Sequence, residues 1–184
     1  MRLKIILAAA LVFAVASAAM AQYESSQKSR IGIGMALFKP TSSVLKGIRS
    51  TWSGPTIDIN LTYDEFDRPK AFATIGFFSQ DSNMYRASLT PVTATYIKRF
   101  GTDPASCWYV GGGLGAYLVK FQRTWPSTSG SATKYGFHLV AGRELGGFYY
   151  VNFRYDMVDK LGVPGFGEVD FSGWSVGFGT RYTF

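Results

Sequence analysis

Gly173-Trp174-Ser175-Val176-Gly177-Phe178-Gly179-Thr180-Arg181-Tyr182-Thr183-Phe184 is the stretch that decides the fold. Trp174, Val176, Phe178, Tyr182 and Phe184 share one parity, interrupted by Thr180, and glycine or polar residues occupy the other. Side chains of a strand alternate between its two faces, so this strand has one bulky apolar face and one small or polar face. A soluble barrel would turn the large face into its core, whereas a small, polar inner face and an apolar outer one are the pattern of a transmembrane β-barrel.

The same period recurs upstream and predicts an all-β, eight-stranded antiparallel up-and-down transmembrane β-barrel. A first strand, Ser29 to Phe38, sets Ile31, Ile33, Met35 and Leu37 against Arg30, Gly32, Gly34 and Ala36. A second, Thr56 to Tyr63, sets Ile57, Ile59 and Leu61 against Thr56, Asp58 and Asn60. The third, Lys70 to Ser79, offers large apolar groups on either parity. In the fourth, Met84 to Arg99, the pattern changes parity near Pro91, which predicts a bulge because proline cannot donate to a ladder. The fifth, Cys107 to Phe121, and the sixth, Lys134 to Glu144, place Val110, Leu114, Phe137 and Leu139 outward against glycines, Tyr117 and His138. The seventh, Phe148 to Asp156, alternates Tyr149, Val151, Phe153 and Tyr155 with Tyr150, Asn152, Arg154 and Asp156.

Connections after strands two, four and six are short. Those after one, five and seven (Lys39 to Pro55, Gln122 to Thr133, Met157 to Val169) are longer, and the connection after strand three breaks the rule. That alternation is expected of periplasmic turns and outer loops, with both mature termini in the periplasm. On that topology Tyr63, Tyr96, Trp108, Tyr149, Tyr182 and Phe184 form an outward aromatic belt at the periplasmic ends, and Phe137, Tyr155 and Trp174 lie near the other rim.

At the N-terminus, Arg2 and Lys4 precede an apolar run from Ile5 to Ala16 and an Ala19-Met20-Ala21 exit, the pattern of a cleaved secretory signal peptide over residues 1–21. The run is shorter than the ~18–20 residues a spanning helix needs. Residues 22–28 are then a periplasmic N-terminal segment and 29–184 the barrel. Removing the first 21 of 184 residues, Arg2 and Lys4 included, lowers the net charge from +7 to +5. Cys107 is the one cysteine, so the exported domain has no internal disulfide. With 21 glycines and 16% aromatic residues the composition suits a small barrel, and hydrocarbon tolerates only helices and edge-free sheets.

The alternation, the belts, the runs Tyr109 to Tyr117 and Gly136 to Gly142 and the closing aromatic residue together resemble the small eight-stranded outer-membrane proteins of the OmpA or OmpW kind. The resemblance implies residence in the bacterial outer membrane, no segment assigned to a peptidoglycan-binding domain, and an assembly signal at Tyr182 and Phe184 read by the barrel-assembly machinery. Its OmpW side implies a narrow channel or carrier for small hydrophobic or ionic solutes as the alternative to a structural or surface-interaction role.

Arg30, Asp58, Arg154, Asp156 and Arg181 carry inward parity. Charges in a narrow lumen must pair, and a salt-bridged interior is favoured over a conducting path because eight strands leave room for little more than side chains. Arg154 or Arg181 is expected to be held by Asp58 or Asp156. Some small outer-membrane barrels modify lipid A with His and Ser, but His138 is the one histidine and no Ser or acid can be paired with it from the sequence. A non-enzymatic protein without cofactor or metal is expected, since no metal-ligand cluster, phosphate loop or nucleophile elbow is present. Lys39, Lys46 and Arg49, and Lys120, Arg123 and Lys134, flank two outer loops without an acid, a charge pattern suited to lipopolysaccharide phosphates. Nucleic acid is excluded by compartment.

Overall fold

The structure is a computed structural model that describes residues 30–63, 69–101, 106–146 and 149–183, with side chains described for all of these except residues 30, 63, 69 and 181–183. The segments 1–21, assigned to export, and 22–28, the N-terminal lead, therefore lie outside the described residues, as does Ser29. The chain forms β1 (Arg30–Pro40), a six-residue helix α1 (Ser43–Ile48), β2 (Trp52–Tyr63), β3 (Pro69–Gly76) and β4 (Phe78–Asp81). There follow β5 (Tyr85–Phe100), β6 (Trp108–Arg123), β7 (Thr128–Leu145), β8 (Tyr149–Val158), β9 (Leu161–Val163), β10 (Gly167–Val169) and β11 (Gly173–Thr183). Neighbours pair antiparallel in the order β3-β2-β1-β11-β8-β7-β6-β5-β4, and β3 also pairs with β5. The sheet thus closes into a barrel of eight wall strands, β3 and β4 together making one. The closing seam runs from Arg30 opposite Thr183 to Pro40 opposite Gly173. Closure leaves no edge along the wall, which is what a spanning sheet needs.

Ile33, Ile59, Leu114, Val151 and Val176 all face outward and are exposed, Leu114 at 73%. The small inner face is explained by rings rather than by a pore. At Gly142 a Cβ would overlap the Tyr109 phenol, and at Gly34 it would stand 2.7 Å from the Tyr150 hydroxyl and 2.6 Å from the Phe178 carbonyl oxygen. Large inward rings lie down over residues that have no side chain.

Several expected boundaries are corrected. The parity of β5 does not change at Pro91: Ala87, Leu89, Pro91, Thr93, Thr95 and Ile97 all point inward, and β5 meets β6 without a register shift. The interruption falls instead on the facing strand. β3 pairs with β5 as far as Ile75–Val92 and β4 resumes at Phe78–Leu89, so the ladder lapses opposite Pro91, which has no N–H to give. Phe77 N–H donates to Pro55 O across the other seam at 3.1 Å. A register irregularity does occur, between β2 and β3 at Asn60 to Tyr63.

The expected long loops are largely structured. The stretch Gln122 to Thr133 is mostly ladder, because β6 runs on to Arg123 and β7 begins at Thr128. Met157 to Val169 contains the β9–β10 hairpin. Lys39 to Pro55 contains α1 and the start of β2 at Trp52, four residues earlier than Thr56. Six residues are too few for a helix to persist alone, and α1 has no side-chain N-cap bond. It is held by burying Leu45 and Ile48, and Trp52 Nε1–H donates to Arg49 O at 2.9 Å just beyond it.

Candidate functional site: lumen and rims

The lumen is stacked in layers, from the loop end to the turn end. Uppermost is an apolar plug including Phe38, Leu45, Trp52, Leu89, Phe121 and Phe171, all essentially without solvent contact. Phe38 packs on Trp52 and Phe78 at ring separations of 5.8 and 5.7 Å, and Phe121 on Phe166 at 4.8 Å. Burying each such ring contributes about 1.5–3 kcal/mol. This plug departs from the expected small and polar inner face: the inward positions of the upper half are a hydrophobic core.

Below it a polar network crosses the lumen. Arg154 and Asp156 stand two residues apart on β8 and so share its inner face, with side-chain exposures of 11% and 7%. Arg154 Nε–H donates to Asp156 Oδ1 at 2.9 Å and its NH2 to the same oxygen at 2.5 Å. NH1 reaches across to Thr93 Oγ1 at 3.1 Å, and the Tyr117 hydroxyl donates to Asp156 Oδ1 at 2.6 Å. Beside Thr93 the Thr74 hydroxyl donates to Asp58 at 2.6 Å. His138, 1% exposed, has Nε2 2.9 Å from Thr95 Oγ1. Ion pair and hydroxyls replace the water that these charges leave behind, the condition under which a buried charge is tolerated. A cavity of about 40 Å³ remains among Asp58, Thr74, Tyr150, Asn152 and Arg154. That is room for a few water molecules.

Lower still, Phe72, Ile97, Tyr109 and Val140 form an apolar ring. Beneath it Arg99 donates to Glu144 through Nε (3.0 Å) and NH2 (2.7 Å), and the Cys107 thiol donates to the same carboxylate at 3.2 Å. Sequence reading missed this second ion pair, although inward parity at Arg99, two residues beyond Ile97, and at Glu144, six beyond His138, was the available signal. Backbone register puts Arg30 and Arg181 on inward positions, Arg181 opposite Gly32, but both side chains lie outside the described residues.

At the turn end Tyr96, Trp108 and Tyr149 are exposed and outward, while the side chains of Tyr63, Tyr182 and Phe184 lie outside the described residues. Near the other rim Trp174 packs on Phe153 at 4.9 Å and on Tyr155 at 4.1 Å, with Phe137 also outward. Of the six loop-end cations, Lys39, Lys46, Arg49 and Lys120 are exposed. Lys134 and Arg123 are half-buried with inward parity, and Arg123 lies over the Tyr85 and Phe166 rings at 6.0 and 5.9 Å. No group of three or more metal-ligating side chains occurs among the described residues.

A closed eight-stranded antiparallel barrel with an apolar exterior and a filled lumen is the fold of the small outer-membrane β-barrels. Among solved structures, Neisserial surface protein A is similar over 85% of this chain and 97% of its own, with a TM-score of 0.59 at 15% identity. The N-terminal β-barrel domain of Pseudomonas aeruginosa OprF matches at 15% identity over 86% of this chain and all of its own, with a TM-score of 0.48. Ail, the attachment invasion locus protein of Yersinia pestis, matches at 16% identity over the same shares, also with a TM-score of 0.48. No protein-family model and no curated protein sequence matches the chain. At such identities the likeness is one of fold.

Proposed function

We propose that the protein is an integral, non-enzymatic barrel of the bacterial outer membrane whose lumen is sealed and whose role is structural or exercised at the cell surface. The observation that carries this reading is the lumen itself: an apolar plug, a cross-lumen ion-pair network and a second ion pair, with about 40 Å³ of free space. A channel or carrier needs a path, and these layers fill it. Catalysis on lipid by His138 is disfavoured for a related reason, since the imidazole is buried inside the barrel rather than placed at a rim. Purified protein reconstituted in planar bilayers is expected to conduct little or not at all, and steady open-channel current through the wild type would overturn the sealed-lumen reading.

Export by the residue 1–21 signal, both termini in the periplasm and assembly through the C-terminal aromatic residues belong to the same proposal. So does contact between lipopolysaccharide phosphates and the exposed Lys39, Lys46, Arg49 and Lys120. Replacing these four by Gln is expected to lower co-purifying lipopolysaccharide, and undiminished yield would remove that contact.

A further inference from the structure

The turn-end rim carries a collar of cations laid over outward rings. Lys70 Nζ is 5.6 Å from the centre of the Tyr96 ring, Lys98 Nζ 5.9 Å from Phe100, and the Arg143 guanidinium 5.3 Å from Trp108. Register explains the grouping: Phe100, Trp108 and Arg143 are successive cross-strand partners on β5, β6 and β7, and Tyr96 faces Ala71 beside Lys70 on β3. All three cations and all three rings are exposed. Among the described residues none of the three cations makes an ion pair, whereas exposed cations elsewhere do, Arg86 with Asp81 and Lys160 with Glu168. Arg143 NH2 donates to Ser106 Oγ at 3.1 Å, which fixes its guanidinium over Trp108.

A cation above an outward ring on a membrane wall is an amphipathic pair: the ring body suits the acyl boundary and the charge suits the headgroup layer. We propose that Lys70, Lys98 and Arg143 form a binding surface for the phosphodiester headgroups of anionic phospholipid in the leaflet at the turn end. Guanidinium takes a phosphate through two parallel N–H bonds, and the two ammonium groups act as point charges beside it. A zwitterionic headgroup brings its own ammonium to its phosphate, but an anionic one leaves the phosphate charge for the protein. Each Lys or Arg at an anionic surface contributes about a fivefold preference. Only the naming of that leaflet as periplasmic rests on the orientation proposed above.

The test uses the full mature chain in nanodiscs of equal phosphatidylcholine and phosphatidylglycerol, with retained lipids counted by native mass spectrometry. The wild type is expected to retain phosphatidylglycerol at least about fivefold over phosphatidylcholine. The triple variant Lys70→Gln, Lys98→Gln, Arg143→Gln is expected to retain the two nearly equally. A control of the same charge change on the projecting loop end, at residues outside the proposed lipid contacts (Arg86→Gln, Lys160→Gln, Ser129→Glu), is expected to keep the preference. Heat-modifiable gel mobility shows which variants are folded; should the triple variant fail, the three single variants are read in the same way, each losing part of the preference. Equal retention by the wild type would overturn the proposal, whether because the cations simply face water or because turn acids such as Asp64 and Asp103, outside the described residues, neutralise them. Equal loss in the control variant would also overturn it by making the effect one of net charge alone. Thiol labelling of Ser127→Cys on intact cells tests orientation separately: an inverted barrel would leave the lipid preference intact and move the collar to the opposite leaflet.

Discussion

Replacing Asp156 by Ala tests whether the lumen shields its central ion pair from bulk water. In the folded protein this carboxylate accepts from Arg154 through Nε and NH2 and from the Tyr117 hydroxyl, with both charged side chains almost entirely enclosed. The substitution would leave Arg154 with Thr93 Oγ1 at 3.1 Å and a long contact of 3.5 Å to the Tyr117 oxygen, which cannot balance a guanidinium charge. Breaking a buried pair in this way costs about 3–5 kcal/mol. The appropriate comparison removes the charged unit: Arg154→Met, Asp156→Val and Tyr117→Phe together leave no unpaired charge and only the Thr93 hydroxyl without its Arg154 partner, and the triple variant is expected to be less destabilised than the single one, because apolar replacements of a buried pair are often neutral or better. Urea unfolding in phosphatidylcholine vesicles, followed by tryptophan emission, measures both, provided the transitions are reversible and two-state. Conductance should stay small in the single variant, since the apolar plug above the network is untouched. A loss under about 1 kcal/mol for Asp156→Ala, the range of solvated pairs, would mean that water already screens Arg154 and would refute the argument that the pair is enclosed.

Leu114→Arg, placing a charge at the most exposed wall position among the large apolar residues, is expected to cost about 2–4 kcal/mol in the same vesicle titration, and no loss would mean that this face does not meet hydrocarbon. Phe121→Ala should destabilise by about 3–5 kcal/mol by hollowing the plug; a small effect would show that the upper layer is loosely packed. Gly142→Ala should cost about 1–3 kcal/mol through overlap with the Tyr109 ring and be partly rescued by Tyr109→Leu, with simple additivity of the two arguing against their contact. Deleting Phe184 should lower the heat-modifiable fraction in outer-membrane preparations more than its lost contact area accounts for, if it is read during assembly; an unchanged fraction would remove that role.

Much of the wall was legible because hydrocarbon imposes one rule on every wall strand: outward positions must be apolar, and strand geometry makes that a period of two. Gly173 to Thr180 and Trp108 to Leu118 follow it without exception apart from Thr180 and Gly112, and the closing pair β1–β11 follows from the need to leave no edge. Nothing comparable constrains the inner face. Its residues must only fill space and satisfy one another, so parity placed Arg154 and Asp156 in the lumen without showing that Tyr117 and Thr93 complete their shell. The pair Arg99–Glu144 joins β5 to β7 across an intervening strand, and such a contact has no sequence period at all.

The error at Pro91 shows where the rule stops. Along β6, Leu114 and Leu118 point outward, but two rungs further Lys120 and Gln122 point outward while Val119 and Phe121 point in. On β5, Ala87 and Leu89 point in and Arg86 and Ser88 point out, and on β7 Ser129 and Ser131 are outward. The strands keep their parity while the polarity of their faces inverts. Inside hydrocarbon the apolar face must be the outer one; beyond it the same strands stand in water and must bury apolar groups against each other as a soluble protein does. The inversion marks the level at which β5, β6 and β7 leave the apolar band, and α1 with the β9–β10 hairpin closes the projecting part from above through Leu45, Ile48, Leu161 and Val163. Read as a change of parity, the pattern near Pro91 implied a bulge; read as a change of solvent, it locates the membrane surface.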